Sequence, residues 1–312
     1  MSPEPPDDEH LLETVRDDPT SVEVDAIVKL LDHDMGTFRN IGLMALSTIA
    51  MEEPDRVVEH SDEVIDHLDD EFPVAQSTAL QVLSRLGSEY PEAVRPAIPR
   101  LVELLDQMPP LTGYRAGRAI APLLEHYPED FVQHVDELLA IASDPPDDGV
   151  PTQADLDEMD PDIREKVMDQ LSSRGDEVEH DVQRVYGIRE MTLHTLVEVS
   201  DVEPEALVGR LTELRPSFET EPPIVRGAAT DVVANVAKHD SSAVEPVVED
   251  LIEIATTDMR AARVHAIQAL GFAEAPEAIE PLREVAESDD EAVSPEVSDL
   301  ATETADFIDA QH

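Results

Sequence analysis

The chain has 312 residues, and its 21 Lys+Arg stand against 72 Asp+Glu for a formal net charge of −51. That balance excludes a generic basic nucleic-acid binder, whose affinity comes from cations neutralising phosphates. The absence of Cys removes thiol catalysis, Cys-ligated zinc and disulfides together, while 41% hydrophobic residues, only 3% of the chain aromatic, supply a core built mainly of Ala, Val and Leu.

The first residues, MSPEPPDDEHLLETVRDDP, form an acidic segment over 1–18 without a basic n-region or an apolar h-region. No uncharged apolar run elsewhere approaches the roughly 18 residues needed to cross a bilayer. A cytoplasmic protein without membrane insertion is expected.

From residue 19 a proline register organises the chain. PTSVEV at 19, PDRVVE at 54, PEAVRP at 91, PEDFVQ at 128, PEALVG at 204 and PEAIEP at 276 begin alike, and SSAVEP at 241 fits with Ser in place of Pro. The steps are 35, 37, 37, 76, 37 and 35 residues, a period that signals stacked repeats. After each mark, apolar residues recur at +3, +7, +10, +11 and +14, one face of a helix. The third unit shows Val94, Ile98, Leu101, Val102 and Leu105; the fourth Phe131, Val135, Leu138, Leu139 and Ala142; the sixth Val244, Val248, Leu251, Ile252 and Ala255. Proline followed by an acid suits a helix start, because it gives up no bonded N–H and places negative charge at the positive end of the dipole. This predicts one outer helix per unit.

A second helix fills the rest of each period, usually after an Asp-containing turn. In four units it opens on an Arg with small or apolar residues at +3, +6 and +7: Arg39 (Gly42, Ala45, Leu46), Arg189 (Thr192, Thr195, Leu196), Arg226 (Ala229, Val232, Val233) and Arg263 (Ala266, Ala269, Leu270). Antiparallel helix pairs of this kind bury a continuous core only by stacking. The segment from Arg263 to Ala286, RVHAIQALGFAEAPEAIEPLREVA, resembles the short HEAT-like, armadillo-type repeat. The resemblance implies an all-α fold, a right-handed α-solenoid of about seven stacked helix pairs, as one domain over 19–310. It also implies a structural ladder in which Arg39, Arg189, Arg226 and Arg263 pair with acids at the turns.

Several units depart from the pattern. Pro73 stands where the second unit's Arg would fall, Arg115 and Arg118 lie out of register in the third, Pro122 lies inside its second helix, and residues 291–310 are acidic throughout, as a polar cap would be. The 76-residue step places an insertion or a degenerate extra repeat at about 145–183, in which residues 161–173 read as a short helix with Ile163, Val167 and Leu171 on one face.

Chemistry-bearing motifs are sparse. There is no G-x-G-x-x-G, Walker A, G-x-S-x-G or H-E-x-x-H sequence. His60 and His67, and His126 and His134, read as solvated helix surface rather than as metal ligands. Asp155, Asp157, Asp160 and Asp162 lack the Gly and Glu of a calcium loop. Neither a cofactor nor a metal is expected.

The expected function is a non-enzymatic scaffold or adaptor holding a protein partner on its concave inner-helix surface; nucleic acid is not the expected partner. If the buried stripe is the Arg, +3, +6, +7 and +10 set, then +1, +5 and +8 face outward. That nominates Met44, His194, Val197, Asp231, Val264 and Gln268, and the Arg115 and Arg118 cluster is added because the ladder does not explain it. Two alternatives stay open: a HEAT-like enzyme or enzyme-associated subunit, of the bilin-lyase or DNA-repair kind, and a regulatory signalling component.

The acids are spread from end to end, and Lys occurs only at 29, 166 and 238. In this the composition resembles that of proteins from extreme halophiles. At molar salt the Debye length falls to about 3 Å and self-repulsion is largely screened. Dialysis into dilute buffer is therefore expected to abolish the helical circular dichroism and molar salt to restore it; a cooperative fold in dilute buffer would contradict this.

Overall fold

A computed structural model of the chain describes residues 23–143, 175–219, 222–258, 260–288 and 293–312, with isolated positions at 14, 21, 159, 163, 164 and 166. The acidic segment 1–18, the first mark at Pro19, the carboxylates at 155–162 and the short helix expected over 161–173 lie outside the described residues, apart from those isolated positions. Contacts divide the chain into two compact units, Met1–Tyr127 and Pro128–His312. Among the described residues all regular structure is helical, and no helix is long and apolar enough to cross a membrane.

The first unit contains α1 (Val24–Val28), α2 (Gly36–Glu52), α3 (Ser61–Asp66), α4 (Pro73–Gly87), α5 (Pro91–Val94), α6 (Ile98–Leu105) and α7 (Pro110–Leu124). The long inner helices α2, α4 and α7 pack side by side, with the shorter segments on their outer side. The second unit contains α8 (Val135–Ser143), α9 (Gly175–Val202), α10 (Arg215–Phe218), α11 (Pro223–His239), α12 (Val248–Thr257), α13 (Arg260–Phe272), α14 (Ile279–Ala286) and α15 (Pro295–Gln311). There α9, α11, α13 and α15 pack in sequence.

The apolar stripe read from the Arg register is the core. Leu46, Ile49, Leu196, Val199, Val233, Val236 and Leu270 are buried, as are the small residues Ala45, Thr192, Ala229 and Ala266. The units without the Arg keep the same stripe, with Ala79, Val82, Leu83 and Leu86 in α4 and Ala116, Ala119, Ile120 and Leu123 in α7 fully buried. Each large side chain buried in this way contributes about 1.5–3 kcal/mol relative to exposure.

The outer stretch is not the single helix that the proline register predicts. A 3-10 turn precedes the main α-helical part, as in Pro128–His134 before α8 and Ser241–Val247 before α12, and in the third unit the 3-10 turn Arg95–Ala97 separates α5 from α6. Pro96 and Pro246 remove an N–H that an α-helix would need at that point. In the fifth unit Gly209 takes φ 79° between the turns Pro204–Leu207 and Leu211–Leu214. This changes the buried register of the sixth unit. A 3-10 turn aligns residues three apart, so Val244 and Val247 are buried together, and Ile254 is buried further on. Val248 and Ile252, expected in the core, are only half-buried.

Close packing at the start of α2 depends on one glycine: a Cβ at Gly36 would meet Phe72 Cβ at 2.4 Å. Helix propensity alone would favour Gly36→Ala by about 1 kcal/mol, whereas the overlap with a side-chain stem costs about 1–3 kcal/mol. Gly36→Ala is expected to lower the urea midpoint; a raised midpoint would show that the Phe72 contact gives way freely.

Candidate functional site

The Arg positions form two kinds of cross-repeat tie. Arg39 in α2 donates from Nε and Nη2 to the two carboxylate oxygens of Asp70 at 2.7 and 2.5 Å, and from Nη1 to the carbonyls of His33 and Asp34 at 2.9 and 3.1 Å. Arg226 in α11 makes the same fork to Asp258, at 2.5 and 2.8 Å. Each Asp lies in the turn before the next inner helix, 31 or 32 residues beyond its Arg, so the ladder joins one unit to its successor. Planar, bidentate pairing is what favours Arg over Lys here.

Arg189 and Arg263 are buried, each 3% exposed. Arg189 Nη2 donates to the carbonyl of Ala142 at 2.6 Å and to Ser217 Oγ at 3.4 Å, and Arg263 Nη2 to the carbonyl of Thr256 at 3.4 Å. Gln76 occupies the equivalent position in α4, buried, with Nε2 donating to the Leu68 carbonyl at 2.7 Å. The sequence pattern, built on Arg, passes over Gln76.

The second kind of tie lies on the solvent side of α2, α4 and α7. Arg85 Nη1 donates to the carbonyl and hydroxyl of Ser47, and Arg115 Nη1 to the carbonyl of Ser77 at 2.9 Å and to its hydroxyl. In both cases the Ser lies 38 residues earlier. That offset, one period plus one residue, is the signal that could have revealed Arg85. Burial pushes the Arg85 guanidinium below its usual pKa. Thr78 Oγ1 donates to Asn40 Oδ1 at 2.7 Å, and Ser84 Oγ to the Arg118 carbonyl at 3.1 Å. Arg115, nominated for an external contact, thus serves an internal one, because it lies one residue beyond the outward position held by Tyr114. Arg118 lies in the outward row and is exposed.

The outward row of the first unit is Met44, Gln81 and Arg118, one exposed side chain from each inner helix. In the second unit the equivalent row is His194, Asp231 and Gln268, with His194 and Gln268 exposed and Asp231 half-buried. His194 Nε2 stands 4.0 Å from Glu198 Oε1, and His265 Nδ1 of α13 stands 3.4 Å from Asp231 Oδ1 of α11. Val197 and Val264 flank this row, both half-buried. Of the histidines weighed as ligands, His67 bonds the carbonyls of Leu31 and Glu63 at 3.0 and 2.8 Å, a structural role, and His60 lies 3.4 Å from Asp25 and from Glu63.

An open cleft of about 330 Å³ lies in the second unit beside α10, α11 and α12, lined by Arg215, Phe218, Arg226, Asp250 and Asp258 among others. Both of its cations are paired, Arg215 Nε to Asp250 at 3.0 Å and Arg226 to Asp258, while Glu219 and Glu253 also line it.

No protein-family model matches the sequence, and no curated protein matches it. Similar solved structures include an engineered protein, with TM-score 0.51 and 18% identity over 91% of this chain and 98% of that one. A designed armadillo repeat protein has TM-score 0.50 and 15% identity over 78% of this chain and 98% of that one. A chain from work on a phosphorylation switch in the interaction between cadherin and β-catenin has TM-score 0.56 and 13% identity over 96% of this chain and 56% of that one. At these identities the likeness is one of fold. The chain is an all-α solenoid of the armadillo and HEAT-like kind.

Burial alone would raise the Asp70 pKa, but the Arg39 fork and the Phe72 N–H, which donates to Asp70 at 2.8 Å, outweigh it and hold the carboxyl below its usual value. A depressed carboxylate stabilises fully above its unfolded-state pKa, about 3.9, and that stabilisation is lost as pH falls through the folded value. Asp70→Asn is expected to cost about 2 kcal/mol at neutral pH, and the gap to the parent protein should close on acidification below about pH 4. Urea titrations at a series of pH values check this; a gap that stays constant would mean that Asp70 acts only by packing.

Proposed function

We infer that the protein is a non-enzymatic scaffold or adaptor that holds a protein partner on the solvent face of its inner helices. One observation carries the reading: in each unit, equivalent positions of successive inner helices put one side chain per helix into a continuous row. Met44 is 48% exposed in such a row, and Met51, one further turn pair along α2, is 61% exposed. Exposed apolar side chains are where a partner gains most from displacing water. Stacked inner helices suit this role because each adds an equivalent strip of surface. The cadherin and β-catenin neighbour, a repeat fold studied for a protein interaction, is consistent with it.

An enzymatic reading has less support. The cleft beside α10 to α12 is open, and both of its cations, Arg215 and Arg226, are held in ion pairs with Asp250 and Asp258. We place the protein in a salt-filled cytoplasm, where its charge is screened.

The test is affinity capture in molar salt with the parent chain, Met44→Asp and Val264→Asp. A stoichiometric protein partner should be recovered by the parent, and recovery should fall about tenfold with Met44→Asp, the loss of one central anchor, with the helical circular dichroism unchanged. Recovery of nothing but nucleic acid, or equal recovery by all three, would overturn the scaffold reading.

A further inference from the structure

The inner helices of the first unit lack what the rest of the chain has in excess. Helices α4 and α7, of 15 residues each, contain no Asp or Glu, and α2 contains one in 17 residues, Glu52 at its last position. In the whole chain nearly one residue in four is acidic. In the second unit α13 is likewise free of Asp and Glu and α11 holds only Asp231, but α9 and α15 carry several acids, so no three successive inner helices there are as poor in acid. In the second unit the positions equivalent to Asn40, Met44 and Thr48 of α2 hold Glu190, Asp231 and Glu198 on one helix or another, each at least partly exposed.

The cations are distributed in the opposite sense. Arg39, Arg56 and Arg100 of the first unit are ion-paired, to Asp70, Glu53 and Asp69. On the acid-free face, neither Arg85 nor Arg118 has a carboxylate in ion-pair contact among the described residues. Arg85 bonds only neutral oxygens of Ser47, and the Arg118 side chain is exposed one turn beyond Arg115. With acids more than three times as numerous as cations in the sequence, leaving these Arg groups without an anion selects for an anion from elsewhere. Three helices packed about 9 Å apart present a strip of about 20 Å, the span of about six residues of extended chain. Exposed Met44 and the half-buried Tyr114 in the same strip offer apolar contact beside the cations.

We propose that the face of α2, α4 and α7 is the docking site of an acidic, extended polypeptide segment, whose carboxylates pair with Arg85 and Arg118 and whose apolar residues cover Met44. This rests on the scaffold reading and adds to it the unit that binds and the chemistry of the partner. Glu52, Glu89 and Glu125 at the C-terminal ends of the three helices bound the strip and repel an acidic chain that lies off its centre.

The test is selection from a displayed library of random dodecapeptides against the full chain, at the lowest salt that preserves its helical circular dichroism, with a pool of random single-stranded oligonucleotides run in parallel. The comparison protein carries Gln81→Glu and Arg118→Glu, two exposed positions whose side chains make no hydrogen bond or ion pair among the described residues, so its circular dichroism should match the parent's. Peptides enriched in Asp and Glu should be selected, should bind the double variant about tenfold more weakly, and should weaken with added salt, as close charge pairs do. Neutral or basic peptides that bind at the inner face, shown by their loss with Met44→Asp, would overturn the acidic-partner proposal while leaving the scaffold reading intact. No peptide sensitive to either variant would overturn both. Oligonucleotides retained by the parent and lost by the double variant, without acidic peptides, would make the ligand a nucleic acid and overturn it as well.

Discussion

The structure depends on one constraint: the apolar stripe of each inner helix is too wide for its own outer segment to cover. Gly42, Ala45 and Leu46 have small or apolar equivalents in α4, α7, α9, α11 and α13, and these are buried in each. Burial is completed only by the neighbouring inner helix, so α2 needs α4 and α4 needs α7, and α9, α11 and α13 depend on one another in the same way. Small residues at +3 and +6 let the helices approach. The hydrophobic term is non-directional and does not by itself say which residue of one repeat faces which of the next.

Polar ties supply that register. The Arg39 and Arg226 forks reach the turn of the following unit, and Arg85 and Arg115 reach back to serines of the preceding one. Each is charge-assisted and short, hence sensitive to a shift of a single residue. Where the ladder residue changes, the function persists in another form, as Gln76 bonding the Leu68 carbonyl shows. The inner face thus has a fixed order of side chains, which is the condition for a surface to recognise anything. Its charge pattern then differs between the units: acids of α9 and α11 interrupt it in the second, and in the first it is nearly acid-free, with Arg85 and Arg118 in no ion pair among the described residues.

Much of this is legible in the residues. The proline register and the Arg with its +3, +6 and +7 companions locate the core stripe of α2, α9, α11 and α13 because helical periodicity projects a linear pattern onto one face. The outward positions Met44, His194 and Gln268 follow from the same projection. The register of the outer stretches does not follow, because a 3-10 turn and an α-turn differ by a fraction of a residue and the choice at Pro246 or Gly209 depends on what the turn packs against. The role of Arg115 was hidden for a related reason: one position along a helix, about 100°, separates a side chain aimed at solvent from one that reaches the neighbouring helix.

The sequence by itself determined the all-helical class, the repeat period and the buried stripe, since each is written in spacing along one chain. It also determined that the acids would lie on the surface, because burying so many charges without partners is prohibitive. Only the tertiary structure decided which Arg is engaged with which oxygen, for those contacts join residues 31 to 38 apart and depend on how neighbouring helices seat. That is why the charge of −51, a property of the whole chain, says little about the face of α2, α4 and α7, where folding gathers helices that hold almost none of it.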